Sequence, residues 1–379
     1  MTHTGPVVIG GGGAAGLVTA AELGRRGIGS VVLERGADVG TSWASRYDSL
    51  RLNTPRLTST LPRYRMPRRY GRFPKRDDIV EYLRDYARVL DLDVRTETEL
   101  RRVEPNGAGW RAETSDGVIE ASSVVIATGH DRRPIIPEWP GRESFGGELI
   151  HAADYREPSP FRDRDVLVVS AANTGSEIAY ELSQNGAVRV RSAMRRPPSV
   201  VRRELLGFPI SYAGPALDPF PDAVGDAAAL VTQWVMFGAL KPHGIGRDPV
   251  GLQTKVRREH GSPIVDAGFI DALKADQIEL VAAVAGFDGD DVLLADGKRI
   301  RPEAVIVATG YSAGLEPLVE HLGVLDVRGY PAVERGCDNP AAPGLFFIGY
   351  WSSMSGQLCH MPKDARRIAR AITHRKPGE

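Results

Sequence analysis

The sequence predicts an α/β fold with two Rossmann-like dinucleotide-binding domains, one inserted in the other. Three observations lead to this prediction. The pattern G-x-G-x-x-G at 11–16 lies between an apolar run and an Ala-rich helical segment. The same order of strand, small-residue turn and helix returns at 166–184, and the element VVIATG ending at Gly129 recurs as AVIVATG ending at Gly310. Because a β–turn–α–β order within about 30 residues is the dinucleotide-binding unit, two copies predict two such domains.

The chain order predicts which domain is inserted. The last 35 residues contain LFFIGY and a helical segment, DARRIARAI, that resemble neither unit. We therefore expect the first domain to comprise residues 1–157 and 305–379, with the second domain at 158–304 between them. Residues 197–260 are rich in Pro and in helical sequence, and we expect them to form an insertion in the second domain.

The first glycine turn is complete. Gly11 allows the tight turn, Gly13 lets the backbone approach a pyrophosphate, and Gly16 lets the helix pack closely on the strand. Glu34 closes the next strand, where an acid can accept hydrogen bonds from ribose hydroxyls. An ordinary Gly-rich turn would not explain Glu34, so this unit is predicted to bind a nucleotide.

The composition or periodicity of three further segments predicts their structure. Residues 41–75 are rich in Pro, Arg and Tyr and predict a long loop lining a site. Residues 77–89 predict an amphipathic helix with an acidic first turn. The apolar stretch at 226–240 is shorter than the roughly 20 residues of a membrane helix, and we expect a buried or interface helix.

Composition excludes several classes of function. Lys and Arg total 48, as do Asp and Glu, so the chain has no net positive charge that would favour binding to nucleic acid. Cys337 and Cys359 form no disulfide framework, and their spacing argues against a disulfide reductase. Cys359 and His360 alone supply too few ligands for a metal site, which would need about four. The N-terminal sequence has no signal-peptide pattern, so we expect a cytoplasmic protein without a membrane span. A homodimer is compatible with these features.

The second turn lacks two of its three glycines. Ser170 and Ala172 occupy these positions, and Gly175 remains for helix–strand packing. The methyl group of Ala172 lies where phosphate would approach, while the helix N-terminus remains available. The sequence therefore predicts a weakened dinucleotide site.

A basic cluster follows the next strand of this unit. No acid stands about 20 residues after Ser170 to take a free ribose. Arg191, Arg195 and Arg196 are instead expected to pair with a 2′-phosphate. The alternative for these arginines is a solvated basic loop.

A motif just before the second unit carries a family resemblance. Phe145, Gly147, His151 and Tyr155 match the pattern F-x-G-x-x-x-H-x-x-x-Y. With it, the chain resembles the flavin-containing monooxygenases, the class B flavoprotein monooxygenases that include the YUCCA-like enzymes. Arg156 follows the Tyr where the family usually has Pro, Phe or Trp.

The resemblance extends over nearly the whole chain. Trp43 in VGTSW is similar to the family element GGTW, with Thr41 in place of a Gly. The segment YDSLRLNTPR, residues 47–56, is similar to the family segment under the flavin. Cys359 and His360 stand where related sequences often carry an Arg–Glu pair, a departure that we expect to alter the substrate pocket.

The resemblance implies FAD in the first domain and NADPH in the second. It implies a monooxygenase in which reduced flavin and O2 form a C4a-(hydro)peroxyflavin that oxygenates a small molecule at N, at S or, in a Baeyer-Villiger reaction, at a carbonyl. Two alternatives remain open. One is an FAD enzyme with impaired or no NADPH use: an oxidase, a redox-neutral enzyme or an enzyme fed by a separate reductase. The other is a non-catalytic flavin-binding subunit.

Two polar residues receive specific expectations from the resemblance. Asn53 is the catalytic candidate, since family members of the N- and S-oxygenating type carry an Asn beside the flavin. The alternative is a turn Asn before the Thr54–Pro55 step. For His151 we expect a structural role that links the two domains and positions the nicotinamide; the alternative is a general base. The positions expected to contact cofactor are Gly11, Gly13, Ala14, Ala15, Gly16, Glu34, Arg35, Trp43, Leu52, Asn53, Leu100, Ala127, Thr128, Gly129, Gly349, Gln357 and Leu358 for FAD, and Ser170, Asn173, Thr174, Gly175, Arg191 and Arg195 for NADPH.

Overall fold

The computed structural model describes residues 5–170, 172–212, 220–258, 263–351 and 356–375. The strands are β1 Val7–Gly10, β2 Ser30–Leu33, β3 Val94–Arg95, β4 Leu100–Asn106, β5 Gly109–Thr114, β6 Gly117–Ala121, β7 Ser123–Ile126, β8 Arg133–Pro134, β9 Glu148–His151, β10 Asp165–Val169, β11 Arg189–Ala193, β12 Val200–Arg202, β13 Glu204–Leu205, β14 Phe208–Pro209, β15 Ile264–Asp266, β16 Glu279–Val281, β17 Val284–Asp288, β18 Asp291–Leu294, β19 Arg299–Ile300, β20 Ala304–Val307, β21 Tyr311–Ser312 and β22 Leu345–Phe347. The α-helices are α1 Ala14–Gly24, α2 Thr41–Ala44, α3 Arg56–Ser59, α4 Arg76–Val89, α5 Asn173–Gln184, α6 Asp222–Phe237, α7 Leu252–Arg258, α8 Phe269–Lys274, α9 Glu316–Val319 and α10 Gln357–His374. Short 3₁₀ helices occur at Arg68–Tyr70, Arg142–Ser144, Ser159–Phe161, Ile210–Tyr212, Lys241–His243 and Glu320–Leu322.

The first unit is built on a five-stranded parallel sheet in the order β22-β7-β1-β2-β3. Strand β1 is buried along its whole length, as expected for a parallel strand covered on both faces. Its carboxyl end delivers the chain into the glycine turn and α1. Strand β22 comes from the C-terminal part of the chain, so the chain returns to the first unit after completing the second, as the sequence predicts.

The second unit has an equivalent parallel sheet in the order β16-β11-β10-β20-β9. Its first strand along the chain, β9, lies inside the motif at 145–155, and β20 extends to Val307. The second sheet therefore begins about ten residues before 158 and ends three residues after 304. The expected boundaries cut through this sheet because β9 pairs with β20, a strand some 150 residues away that local patterns do not reveal.

The repeat extends to smaller sheets as well. An antiparallel three-stranded sheet, β4-β5-β6, precedes β7 in the first unit, and an antiparallel three-stranded sheet, β17-β18-β19, precedes β20 in the second. Each unit thus follows the same plan of parallel sheet, helix and antiparallel meander.

Helix α4 confirms the predicted amphipathic helix and begins one residue earlier than predicted. Ile79, Tyr82, Leu83 and Tyr86 lie on its buried face. Asp78 accepts a hydrogen bond from the Lys75 backbone N–H at 2.8 Å and closes the first turn.

Of the two alternatives expected for 226–240, a buried or an interface helix, α6 corrects the first and leaves the second open. Only Gly225 and Phe237 of its residues are buried, while Val231, Trp234 and Val235 are more than 60% exposed. It belongs to the insertion at 197–260, whose strand β12 pairs in parallel with β15, just after the insertion. Residues 213–219, 259 and 260 of the insertion lie outside the described residues. No described helix is both long and apolar enough to cross a membrane.

Candidate functional site

A cavity of about 550 Å³ lies at the carboxyl ends of the strands and receives side chains from both units. This volume is within the range of small-molecule and cofactor sites. The predicted cofactor residues that line it are Gly11, Gly13, Ala14, Ala15, Glu34, Arg35, Trp43, Leu52, Asn53, Leu100, Ala127, Thr128, Gly129, Asn173, Thr174, Gly349, Gln357 and Leu358. The loop at 41–75, predicted to line a site, supplies further lining residues that sequence reasoning did not select: Thr41, Ser42, Ser45, Arg46, Tyr47, Leu50, Arg51 and Thr54.

The first glycine turn has the geometry that each glycine was expected to provide. Gly11 has φ +121°, and a Cβ there would lie 2.4 Å from the Ala127 carbonyl oxygen. A Cβ at Gly16 would lie 1.9 Å from the Gly11 carbonyl oxygen, so this position requires glycine for close packing. At Gly13 a Cβ would meet no described atom within 4 Å, which leaves the backbone open to the cavity.

The start of α1 and the end of β2 fit the two polar parts of a dinucleotide. Gly13 is the N-cap of α1 and provides no capping side chain, so the first N–H groups can face a pyrophosphate. Glu34 is 8% exposed and accepts hydrogen bonds from the N–H groups of Gly12 and Gly36, each at 2.8 Å. Each carboxylate oxygen keeps a further lone pair for a ribose hydroxyl. The residues present therefore fit the FAD that the resemblance implies.

The second turn is packed as closely as the first and has one N–H donor fewer for a phosphate. A Cβ at Gly175 would lie 1.9 Å from the Ser170 Cβ, so Gly175 is needed for packing against the turn. The Ser170 hydroxyl accepts a hydrogen bond from the Ala172 N–H at 3.0 Å. That N–H is one of the donors that a phosphate would otherwise bind. Its hydrogen bond to Ser170 makes it unavailable to the phosphate.

Helix α5 nevertheless reaches the cavity. Asn173 and Thr174, at its first turn, line the same cavity as the first glycine turn. The Asn173 side chain is held at both ends by the segment before α8: its amide nitrogen donates to the Pro263 carbonyl at 3.0 Å, and its oxygen accepts from the Val265 N–H at 2.6 Å. The N-terminus of α5 is therefore held in place by the segment that directly follows the insertion.

The arginines after the second turn divide into two groups. Arg191 is 5% exposed within β11 and forms ion pairs with Asp165 at 2.5 Å and Glu279 at 3.3 Å. Its guanidinium is thus used inside the sheet, which corrects the expectation that it contacts a 2′-phosphate. Arg195 and Arg196 are exposed beyond the carboxyl end of β11, and no ion pair to another described residue engages them. They remain the cations available at this end of the sheet.

Asn53 is held by a residue from the insertion. It follows the buried Leu52, whose N–H donates to the Pro74 carbonyl at 2.9 Å. The Asn53 side-chain oxygen accepts a hydrogen bond from Arg203 at 3.0 Å. Arg203 comes from the segment between β12 and β13, so the insertion reaches the cavity wall at Asn53.

A carboxylate that sequence reasoning missed lies beside this pair. The Tyr47 hydroxyl donates to Glu177 at 2.5 Å, and Arg203 lies 3.7 Å from the other carboxylate oxygen. Burial raises the pKa of Glu177, and this effect is opposed by Tyr47, Arg203 and Asn53. One signal was available: Glu177 follows Asn173 by four residues, so helical spacing places both on one face of α5.

His151 lies at the junction of the two units and is fully engaged. Its Nε2 lies 3.2 Å from the Gly310 carbonyl oxygen, and its Nδ1 accepts the Ala153 N–H at 3.0 Å. Burial lowers the pKa of His151, so the neutral ring is favoured. This arrangement is that of a packed, hydrogen-bonded residue and does not place either ring nitrogen at the cavity.

The opposite wall comes from the C-terminal part of the chain. Tyr350 is buried, and its hydroxyl contacts both the N–H and the hydroxyl of Thr128, at 3.1 and 2.8 Å. Gln357 lines the cavity and contacts His130 at 3.3 Å. Cys359 and His360 are not among the described lining residues, so the substrate-pocket effect expected of them has no contact to support it. Residues 352–355 lie outside the described residues.

No metal centre is found in the part of the chain that the structure describes. It contains no cluster of three or more His, Cys, Asp or Glu side chains arranged to hold an ion. Cys337 and Cys359 are free thiols.

Comparisons with known proteins agree with this geometry. Residues 7–204 match the family model described as pyridine nucleotide-disulphide oxidoreductase. The chain is 30% identical to the probable indole-3-pyruvate monooxygenase YUCCA9 of Arabidopsis thaliana, over 91% of this chain and 84% of that protein. It is 31% identical to the indole-3-pyruvate monooxygenase YUCCA8 of Oryza sativa subsp. indica, over 98% of this chain and 91% of that protein.

A solved structure gives the same result. The flavin-containing monooxygenase from Stenotrophomonas maltophilia superposes with a TM-score of 0.74 at 25% identity. The superposition covers 97% of this chain and 98% of the chain of that enzyme. Together the matches support an oxidoreductase of the monooxygenase type, with FAD and NADPH as its cofactors. The chain belongs to the flavin-containing monooxygenases, within the pyridine nucleotide-disulphide oxidoreductase family.

Proposed function

We propose that the protein is an FAD-dependent monooxygenase that takes electrons from NADPH and transfers one oxygen atom of O2 to a small molecule. One observation carries the proposal. A complete FAD turn and the N-terminus of a second dinucleotide helix open on one cavity, with an amide side chain, Asn53, in its wall. When bound, FAD supplies the exchange of electrons between NADPH and O2.

Each part of the site has a task that its chemistry supports. The turn at Gly11–Gly16 and Glu34 hold the pyrophosphate and ribose of FAD. We expect the N-terminus of α5 to receive the pyrophosphate of NADPH and the exposed Arg195 to pair with its 2′-phosphate. Asn53 directs a hydrogen bond into the cavity, where developing charge on oxygen would be stabilised.

We infer that the substrate enters the part of the cavity lined by Trp43, Leu50 and Met361. These apolar groups exclude water from the reacting atoms, which limits the loss of activated oxygen as hydrogen peroxide. The relatives named as indole-3-pyruvate monooxygenases make indole-3-pyruvate the first probe to test. A thioether and a tertiary amine represent S- and N-oxygenation.

The test is a labelling experiment with 18O2 and NADPH. The FAD-loaded protein is mixed with indole-3-pyruvate, methyl phenyl sulfide or N,N-dimethylaniline, and the organic product is analysed by mass spectrometry. We expect one 18O atom in the product of at least one probe, and none when NADPH is omitted. If NADPH is consumed with every probe but all the O2 is recovered as hydrogen peroxide, the protein is an NADPH oxidase and the proposal fails.

A further inference from the structure

Three distant segments of the chain meet at one point of the cavity wall. Tyr47 and Asn53 come from the loop at 41–75, Glu177 from α5, and Arg203 from the insertion. We call these four residues the Glu177 cluster. The cluster joins the wall of the FAD site to the second unit through side chains alone.

We propose that Glu177 is a positioning residue that, together with Arg203, holds the Asn53 amide with its oxygen toward Arg203, one N–H toward the Glu177 carboxylate and the other N–H toward the cavity. The inference rests on the proposed function, because it explains how Asn53 is oriented for the role given to it there. It adds that the second unit and the insertion set this orientation.

The hydrogen-bond chemistry fixes which way the amide faces. An arginine has five donors and no acceptor, so only the oxygen of the Asn53 amide can face Arg203. The observed contact joins that oxygen to Arg203 Nη2 at 3.0 Å. The amide nitrogen then lies on the side away from Arg203 Nη2. Asn53 also lowers the pKa of Glu177, as an N–H donor that faces its carboxylate does. The Asn53 side chain lines the cavity. A rotated amide would place two N–H donors against a guanidinium, which is unfavourable.

The position of Arg203 depends in turn on Glu177. Nη2 of Arg203, the atom that binds Asn53, lies 3.7 Å from Oε1 of Glu177. The two side chains are only 16% and 13% exposed, so removing the carboxylate would leave a largely buried cation without its partner. The Phe73 ring, whose centroid lies 5.5 Å from the guanidinium carbon, stabilises the cation from another side.

Glu177 is itself fixed by Tyr47. The Tyr47 hydroxyl donates to Oε2 of Glu177 at 2.5 Å, and Tyr47 is 3% exposed. Oε1 of Glu177 and Nε of Arg203 have no hydrogen-bond partner among the described residues. A pair that served only to join two domains would be expected to make the parallel two-bond contact typical of Arg and carboxylate. The single, long contact between Arg203 and Glu177 instead leaves Nη2 of Arg203 available to donate a hydrogen bond to Asn53.

A matched control lies one helical turn further along α5. Glu181 accepts a hydrogen bond from the Tyr155 hydroxyl at 2.9 Å, as Glu177 does from Tyr47. Burial also raises the pKa of Glu181. Glu181 shares the helix, the tyrosine partner and the burial, but no described contact joins it to Asn53 or Arg203.

The direct test is NMR of the FAD-loaded protein labelled with 15N-asparagine. The sequence has only five asparagines, so five pairs of side-chain amide signals are expected, and Asn53→Ala identifies the pair of Asn53. We expect Glu177→Gln and Arg203→Met each to move the Asn53 pair, while Glu181→Gln leaves it in place. FAD absorbance and thermal melting show that each variant is folded. If Glu177→Gln does not retain FAD, Arg203→Met removes the same contact from the other side.

A second readout connects the orientation to catalysis. With the probe that is oxygenated, Glu177→Gln should raise the ratio of hydrogen peroxide to product by about three- to tenfold, since small errors of position are costly at a reacting centre. The same substitution should have no further effect when Asn53 is already Ala, because Glu177 acts through Asn53. Unmoved Asn53 signals in both the Glu177 and the Arg203 variant would overturn this inference. An unchanged ratio in Asn53→Ala would instead overturn the role of Asn53 in the proposed function.

Discussion

At the scale of single residues, the first dinucleotide site depends on glycines, which have no side chain. Gly11 and Gly16 are positions where a Cβ would collide with backbone oxygen, at 2.4 and 1.9 Å. Gly13 leaves space at the cavity. These glycines therefore serve two separate purposes: two close the turn and one opens it to a ligand. The sequence motif alone predicted this division, because each position of the motif has a fixed geometric task.

Asn53→Ala should change the fate of activated oxygen without releasing FAD. The side chain lines the cavity, while the FAD contacts proposed for the turn and Glu34 are made elsewhere. Loss of one preorganised donor costs on the order of 3 kcal/mol, so the ratio of hydrogen peroxide to product should rise by about 100-fold. The measurement is peroxide and product per NADPH, with FAD content determined from the visible spectrum.

Asn185→Ala provides the control for this variant. Asn185 is exposed at the end of α5 and donates to the Glu181 carbonyl at 2.6 Å, far from the lining residues. Its substitution should leave the ratio as in the natural protein. If the two alanine variants behave alike, Asn53 is a turn residue and the amide has no part in the chemistry.

At the scale of elements, the two βα turns differ in what they offer to phosphate. The first has an open glycine at Gly13, and the second has an internal hydrogen bond from the Ala172 N–H to the Ser170 hydroxyl. Helix α5 still directs its N-terminus to the cavity through Asn173 and Thr174. The element is thus retained while its phosphate contacts are reduced, so we expect weak NADPH binding and slow flavin reduction compared with relatives.

The double substitution Ser170→Gly with Ala172→Gly should strengthen NADPH binding. It frees the Ala172 N–H and removes the methyl group from the phosphate approach, for an expected gain of roughly 1–3 kcal/mol. Titration of the FAD-loaded protein with NADPH, followed by the change in flavin absorbance, gives the dissociation constant. Equal affinity in both proteins would show that these two residues do not limit binding.

Strand β11 shows which contacts the local sequence does not predict. The motif Arg191–Arg196 indicates a basic end to β11, but Arg191 is buried against Asp165 and Glu279, which lie 26 and 88 residues away in sequence. Strand alternation alone does not reveal such partners. Glu177 was missed for the same reason, since Tyr47 and Arg203 approach α5 from segments on either side of it.

At the scale of the whole molecule, the sequence predicted the two units and their nesting. The repeated strand and glycine patterns were sufficient, because each unit has its own parallel sheet with buried apolar strands. Details that depend on long-range pairing were not predictable. Strand β9 joins the second sheet through β20, and α6 exposes Trp234 on the surface although its sequence is apolar. The insertion contacts the cavity wall through Arg203, which donates a hydrogen bond to Asn53.

The arrangement of the whole molecule suggests why two dinucleotide units share one cavity. Gly13 at the start of α1 and Thr174 at the start of α5 line one cavity, so FAD held by the first unit and NADPH held by the second would share that cavity. Electron transfer from one to the other then requires no separate partner protein. We therefore predict that NADPH alone reduces the flavin, which separates a self-sufficient monooxygenase from a flavoprotein reduced by another enzyme.

Anaerobic mixing of the purified protein with NADPH tests this claim most directly. The protein should carry FAD, with absorbance near about 370 and 450 nm, and NADPH should bleach the 450 nm band more readily than NADH does. Subsequent O2 should restore the band. A protein that contains no flavin and gains none when FAD is added, or one whose bound FAD stays oxidised in excess NADPH but is bleached by dithionite, would contradict the account.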